Sequence, residues 1–436
     1  MSSTVLLHRH AGPSHIERLM RRLHLHIDDG RRPPELPPKR AGQGVGVDDF
    51  DLIQFLGAGG FGMVLLGQHR ATGEYKAIKV MDKRLVLSQN QLTSVFRERQ
   101  VLASKEHPFI VSMRHAFQTA DHLCFVLDYA DGGNMYVDLK RGAYCEHRTQ
   151  FYASQIVLAI EHLHSQDILY RDLKPDNVLL LPNGNIQLAD MGAARGVHCD
   201  GSIGSPGDRT DGPSLKTARQ SHSRRMTITG THGYRSPEVY ARLYGKPADW
   251  WCVGILIIEM LSGDNPLRGE NRQHSEQLAL SAMPCFPSGF FQPAKETSLA
   301  FLVKDWRYRL GTPAEGESEA DALRRLKAHA FFADVDFEAM LKRQVPPPFE
   351  VDVRTVRNER LQRAKSLDEW CHMVDYLKDS LALRTTMPLS AEQDALFADF
   401  DYATGTGAPR TVEAFFVDKQ DSWPLRSGEK RKSTHA

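Results

Sequence analysis

Between residues 50 and 104, apolar positions come in short runs broken by turn residues. Leu52 to Leu56 and Met63 to Leu66 read as strands with Gly57 to Gly62 between them, so the glycines are predicted to form a hairpin loop. Lys76-Ala77-Ile78-Lys79-Val80 reads as another strand. Its period of two puts Ala77 and Lys79 on one face and Ile78 and Val80 on the other. Residues 92–104 read as a helix, with Val95 and Leu102 on its apolar face and Glu98 between them at spacings of three and four. Asp249 opens a near-continuous apolar run to Leu261. It is too short for a membrane span and carries Glu259, so a buried helix is expected.

The candidate chemistry sits on this frame. Gly57 to Val64 fits G-x-G-x-x-G-x-V, and glycines let backbone N–H groups approach phosphate oxygens. Strands on both sides exclude a dinucleotide loop, which runs from strand into helix; the missing Gly-Lys-Ser/Thr ending excludes a Walker loop. Lys79 could be a surface lysine on an edge strand, or the partner of Glu98, whose carboxylate is costly on an apolar face unless paired. The bland alternative is a solvated Glu98 between Arg97 and Arg99. The most informative string is Tyr170-Arg171-Asp172-Leu173-Lys174-Pro175-Asp176-Asn177, followed thirteen residues after Asn177 by Asp190-Met191-Gly192. It supplies a candidate base (Asp172), a cation (Lys174), a metal-binding amide (Asn177) and a metal-binding carboxylate (Asp190), the set that phosphoryl transfer from ATP requires.

These motifs together resemble the eukaryotic protein kinase family across roughly residues 50–332. The resemblance implies a two-lobed α+β fold: a small lobe of antiparallel strands with the Glu98 helix, a mostly helical large lobe, and ATP in the cleft. It implies that Leu56, Gly57, Ala58, Gly59, Gly60, Phe61 and Gly62 cover the nucleotide, and that Val64, Ala77 and Leu179 sandwich the adenine. Lys79, oriented by Glu98, would hold the α- and β-phosphates. Leu127 would be the gatekeeper, Asp128 to Ala130 the hinge, and Asn134 a ribose-side position. Asp172 would orient and deprotonate the acceptor hydroxyl, Lys174 would steady the γ-phosphate, and Asn177 and Asp190 would bind two Mg2+ ions. Lys174 and Thr231 are similar to the serine/threonine-specific form. Glu238 would pair with Arg309, and Asp249 would hydrogen-bond the catalytic-loop backbone. The main rival is a catalytically silent pseudokinase scaffold, but Lys79, Asp172, Asn177 and Asp190 are all present. A small-molecule or lipid kinase fits poorly with Gly230 to Glu238, which resembles a peptide-positioning segment.

Within that family the chain resembles the AGC group, through His107 to Val111, Gly230 to Tyr234, His329 to Phe332 and Val345 to Phe349. Phe397 to Tyr402 is similar to the AGC hydrophobic motif, in which Phe397 and Phe400 dock beside the Glu98 helix. Asp401 stands where a phosphate is often added and would supply a built-in negative charge. Thr227 stands where AGC kinases carry the activating phosphate, and the resemblance implies Arg171 and Arg195 as its receivers and an upstream kinase as a partner. Met191 and Ser236 depart mildly from the family pattern. Asp176 and Glu259 would favour protein substrates with basic residues N-terminal to the Ser/Thr, while Asn134 in place of a glutamate weakens that preference.

Composition adds limits. The chain has 436 residues and net charge +1, so bulk electrostatics argues for neither nucleic acid nor membrane. Six cysteines without a CxxC pair read as reduced thiols of a cytoplasmic protein, with the nucleus as an alternative. Expected divisions are an N-terminal extension at 1–47, a small lobe and hinge at 48–130, a large lobe at 131–345 with a Gly/Ser-rich insertion at about 201–223, a tail at 346–402, and a disordered end at 403–436. The five histidines of the extension lack fixed ligand spacing, and Lys430-Arg431-Lys432 reads as a solvated tail rather than an import signal.

Overall fold

The computed structural model describes residues 45–59, 62–103, 106–196, 226–349, 351–356, 389–398 and 400–403. Gly60, Phe61, the 201–223 insertion, and nearly all of the N-terminal extension and of 403–436 lie outside the described residues.

Strands β1 (Phe50–Gly59) and β2 (Gly62–His69) form the glycine hairpin, antiparallel from Phe50 opposite His69 to Gly59 opposite Gly62. With β3 (Tyr75–Asp82), β4 (Met113–Gln118) and β5 (His122–Asp128) they make an antiparallel sheet in the order β1-β2-β3-β5-β4. Ile78 and Val80 enter an apolar layer with Phe50, Leu65, Phe117 and Val126, which leaves Ala77 and Lys79 facing the cleft.

Helix α1 (Lys83–Ser88) leads to α2 (Leu92–Ala103), which carries Glu98. Val95 and Leu102 are buried as their spacing predicts, but Arg97 and Arg99 are buried too. The sequence pattern misses this because elements distant in sequence enclose the helix. On one side the C-terminal tail runs past it, and Arg99 Nη2 donates to the Asp401 carbonyl at 2.9 Å.

The large lobe contains α3 (Met135–Leu139), α4 (Glu146–Ser165), α5 (Pro237–Tyr240), α6 (Pro247–Ser262), α7 (Arg272–Ser281), α8 (Gln292–Phe301), α9 (Glu319–Lys327) and α10 (Phe337–Leu341). The apolar run is α6: it starts with Pro247 in its first turn, stops at Gly263 in the left-handed region, and is buried throughout from Ala248 to Met260. A Cβ on Gly254 would lie 2.6 Å from Phe301 Cβ, so glycine permits the close approach of α6 and α8. Short ribbons pair β6 (Ile168–Leu169) with β9 (Arg195–Gly196) and β7 (Val178–Leu180) with β8 (Ile186–Leu188), bracketing the Asp172 loop. Among the described residues no helix is long and apolar enough to cross a membrane.

The tail returns to the small lobe through α11 (Ala391–Ala395) and β10 (Tyr402–Ala403), which pairs with β4 as a sixth strand. Phe397 and Phe400 are fully buried. Phe400 stacks on Phe125 at 5.3 Å and meets Phe96 edge-on at 5.9 Å, and each buried ring contributes about 1.5–3 kcal/mol. Lys83, which nothing in the sequence singles out, is 1% exposed: it pairs with Asp394 at 2.7 Å and lies 5.1 Å above the Phe397 ring. Asp401 itself is exposed.

His107, between α2 and β4, makes the fold acid-sensitive. Its Nδ1 accepts from Phe109 N–H at 3.3 Å and its ring stacks on His162 at 4.6 Å. Burial, reinforced by His162 and Arg343, lowers its pKa from 6.5 to about 3. The unfolded chain takes up this proton near pH 6.5, whereas the fold resists it down to about pH 3. The stabilisation is therefore complete above pH 6.5 and is lost as pH falls through that window, by up to about 2 kcal/mol at pH 5. His107→Asn, which keeps an acceptor, is expected to flatten the fall in urea midpoint between pH 7.5 and 5. Equal slopes in the two proteins would remove His107 as the cause.

Candidate active site

A cleft of about 1160 Å³ lies between the sheet and the large lobe. Val64, Ala77, Leu127 and Leu179 supply apolar walls, and Lys79, Asn177 and Asp190 supply polar groups at one end. Leu56, Gly57, Gly62, Asp128, Ala130 and Asn134 line it as well. The glycines differ in what they do. At Gly57 a Cβ would meet nothing within 4 Å, so the backbone faces open space where a phosphate could approach; at Gly62 it would lie 1.8 Å from the Val80 carbonyl oxygen, so glycine is needed there for strand packing. Val356, from the tail, also lines the cleft; no signal in the sequence marks it.

Two lining residues have side chains turned to structural work. Asn134 Oδ1 caps α3 by accepting from Val137 N–H at 3.0 Å, which fixes the side chain at the cleft wall. The Asp128 carboxylate is held by Lys76 at 3.1 Å and by Arg114 at 2.6 Å, which fixes the chain as it leaves β5.

Lys79 joins the two lobes electrostatically. Its Nζ lies 2.7 Å from Glu98 Oε1 and 3.1 Å from Asp190 Oδ1. Burial pulls the ammonium pKa down, but the two carboxylates outweigh it and hold Lys79 well above its usual range. Burial pushes Glu98 up against the pull of Lys79, and Lys79 holds Asp190 below the usual carboxylate range.

Asp249 shapes the Asp172 loop from α6. Its Oδ2 accepts from Tyr170 N–H at 2.9 Å and its Oδ1 from Arg171 N–H at 2.8 Å, and His164 Nε2 approaches at 2.8 Å. These bonds sustain φ +69° at Arg171, a conformation rare outside glycine. Asp190 likewise adopts φ +54°.

Asp172 lies beside the cleft, joined by hydrogen bond to Asn177, which lines it. Lys174 Nζ donates to Asp172 Oδ2 and to Thr231 Oγ1, both at 2.8 Å; Thr231 Oγ1 donates to Asp172 Oδ1 at 2.8 Å; and Asn177 Nδ2 reaches Oδ2 at 3.0 Å. The carboxylate thus already accepts an aliphatic hydroxyl at hydrogen-bond distance, the geometry a general base needs. With its amide nitrogen on Asp172, Asn177 keeps its amide oxygen for a cation. Among the described residues no group of three or more His, Cys, Asp or Glu could hold a metal. A hard cation there would rest on Asp190 and the Asn177 oxygen, a sparse donor set that fits magnesium, which takes few protein ligands and completes its shell with phosphate and water.

Below the loop, Arg309 is 0% exposed and all five of its N–H donors are bonded: two to Glu238 at 2.5 and 3.0 Å, two to the Val303 carbonyl and one to the Pro247 carbonyl. Glu238 thereby anchors the segment that carries Thr231.

Thr227 is exposed, with its hydroxyl 3.2 Å from Thr229 Oγ1. Arg171 Nε donates to the Ala193 carbonyl and its Nη1 to Tyr244, whose hydroxyl donates to the Thr227 carbonyl at 2.8 Å. Arg97, to which the sequence assigned no role, lines the same cavity as Arg171, Arg195 and Thr227. Burial and then the fields of Arg195 and Arg171 bring its pKa down to about 10.

The comparisons agree with this architecture. The model described as "Protein kinase domain" matches residues 50–300. The human RAC-beta serine/threonine-protein kinase is 33% identical over 74% of this chain and 64% of its own length. The RAC family serine/threonine-protein kinase homolog of Dictyostelium discoideum is 33% identical over 78% of this chain and 69% of its own length. The serine/threonine-protein kinase SCH9 of Saccharomyces cerevisiae is 34% identical over 88% of this chain and 43% of its own length. The chain belongs to the eukaryotic protein kinase family, in its AGC serine/threonine group. It spans about three fifths of the length of the RAC-beta relatives it matches.

Proposed function

We propose that this protein transfers the γ-phosphate of ATP, with Mg2+, to serine or threonine hydroxyls of protein substrates. The observation that carries this is the convergence of Lys79, Glu98 and Asp190 at one end of the cleft with Asp172, Lys174 and Thr231 beside it, linked through Asn177. Bound magnesium supplies charge neutralisation at the phosphates. Lys79 offers an ammonium fixed by two carboxylates, Asp172 accepts the acceptor hydroxyl's proton in the place Thr231 Oγ1 now occupies, and Lys174 keeps a positive charge beside the transferring group. The test is label transfer from γ-labelled ATP to a serine/threonine peptide library, with Asp172→Asn as control. No transfer by the natural protein, or equal transfer by the control, would refute the reading.

We also propose that phosphate on Thr227 activates the enzyme. Arg97, Arg171 and Arg195 hold three guanidinium charges around the wall that Thr227 shares, and a phosphate supplies the anion such a cluster favours. Thr227→Ala is expected to lower kcat about tenfold or more, with Arg97→Ala blunting the response to phosphorylation. Full activity of Thr227→Ala after treatment with an upstream kinase would remove the proposal. A substrate residue with positive charge N-terminal to the acceptor finds an exposed carboxylate at Asp176, while Glu259 is 5% exposed with Oε2 already accepting from Tyr234 at 2.5 Å.

A further inference from the structure

Next to the Asp172 carboxylate lies a second, smaller crevice, formed by Thr231, Tyr234 and Arg235 below the catalytic loop. Gly230-Thr231-His232-Gly233-Tyr234-Arg235 runs along it and carries one fixed cation, Arg235, beside a histidine whose proton affinity is lowered by burial and by the neighbouring arginines. Arg235 is held in place: its Nε donates to the Gly230 carbonyl at 2.8 Å and its Nη1 points at His232 Nδ1 at 3.4 Å. No described residue takes a hydrogen bond from Nη2. Two further arginines converge from a different part of the chain. A Cβ on Gly233 would sit 3.4 Å from the Cα of Arg268, which places Arg268 against this segment, and Arg272 opens α7 within electrostatic reach of both His232 and Arg235.

The opposing charge is small. Glu276, one turn along α7, and Asp172 are the carboxylates whose fields reach Arg235, and Asp172 is already engaged by Lys174 and Thr231. Among the described residues none of Arg235, Arg268 and Arg272 has a carboxylate at ion-pair distance. Arg268 and Arg272 are exposed and Arg235 is half-buried. A half-buried guanidinium with a free edge, beside the atom that must accept the substrate's proton, recognises an anion and repels a cation.

We propose that this enzyme selects protein substrates with an anionic side chain, a carboxylate or a phosphate, close beside the acceptor hydroxyl, bound by Arg235 with Arg272. This rests on the phosphotransfer reading above and names its substrate class. It is compatible with a basic residue farther along the peptide at Asp176, because the two sites carry opposite charge at different places in the groove.

The experiment uses the full chain, ATP and magnesium, with serine peptides that differ at single positions within three residues of the acceptor: alanine, arginine, glutamate or phosphoserine. The expected result is that glutamate or phosphoserine at one flanking position raises kcat/KM about tenfold over alanine, and arginine there lowers it. The glutamate and phosphoserine arms separate a carboxylate-reading site from one that needs a previously phosphorylated substrate. Arg235→Glu should invert the glutamate-to-arginine ratio. Should that variant fold poorly, Arg272→Glu, at an exposed position, should shrink the same ratio several-fold. Raising KCl from 50 to 300 mM should shrink it as well. Transfer with no anionic preference at any flanking position, or a ratio unmoved in both variants, overturns this inference and leaves the phosphotransfer reading standing. Transfer to no peptide at all overturns both.

Discussion

Asp172→Asn is expected to lower kcat by roughly 10³ while the affinity for nucleotide changes less than about threefold. The asymmetry follows from where Asp172 sits. Its oxygens meet Lys174, Thr231 and Asn177 beside the cleft, whereas Lys79, Glu98 and Asp190 form a separate ion-paired constellation. Asparagine preserves shape and still accepts a hydroxyl at Oδ1, so the loop should stay folded; what disappears is the capacity to take a proton. Steady-state transfer to peptide together with nucleotide binding by fluorescence separates the two effects. A variant with kcat within tenfold of the natural protein would show that deprotonation at this position does not limit the reaction.

Arg309→Ala is expected to destabilise the large lobe by about 3–5 kcal/mol. Arginine here is 0% exposed with every N–H bonded, and its removal strands the Glu238 carboxylate in the protein interior. Against a total stability of about 5–15 kcal/mol for a domain, that loss shifts a urea midpoint substantially. The double variant Arg309→Met with Glu238→Gln should recover part of it, since no unpaired buried charge then remains. Urea unfolding followed by tryptophan fluorescence reads both. A single-variant loss below about 1 kcal/mol would mean that the pair is not the anchor of the Thr231 segment.

Much of the site was legible because its pieces are local strings with strict chemistry. The hairpin around Gly57 and Gly62, the strand bearing Lys79, the helix bearing Glu98 and the buried helix from Asp249 each follow from period or punctuation. What the strings left out is whatever a distant element decides. Arg97 and Arg99 carry no local mark of burial, yet Arg97 is buried at the cavity shared with Thr227 and Arg99 under the returning tail. Asn134, at a position where a ribose contact was expected, has its amide oxygen drawn onto the start of α3. Lys83 and Val356 have no local signature, because the partners that give them a place arrive from Asp394 and from the cleft.

The sequence alone determined the glycine hairpin, the Lys79 strand, the Glu98 helix and the buried helix from Asp249, because hydrophobic period and residue chemistry are properties of short stretches; the two lobes followed from the resemblance of its motifs to a known family. The tertiary structure decided charge balance. Lys79 is held by two carboxylates from different lobes, the arginines around Thr227 come from separate segments, and Arg235 feels the field of Arg272 from another part of the chain. Coulomb energy depends on distances through space and on burial, and neither is set by separation along the chain.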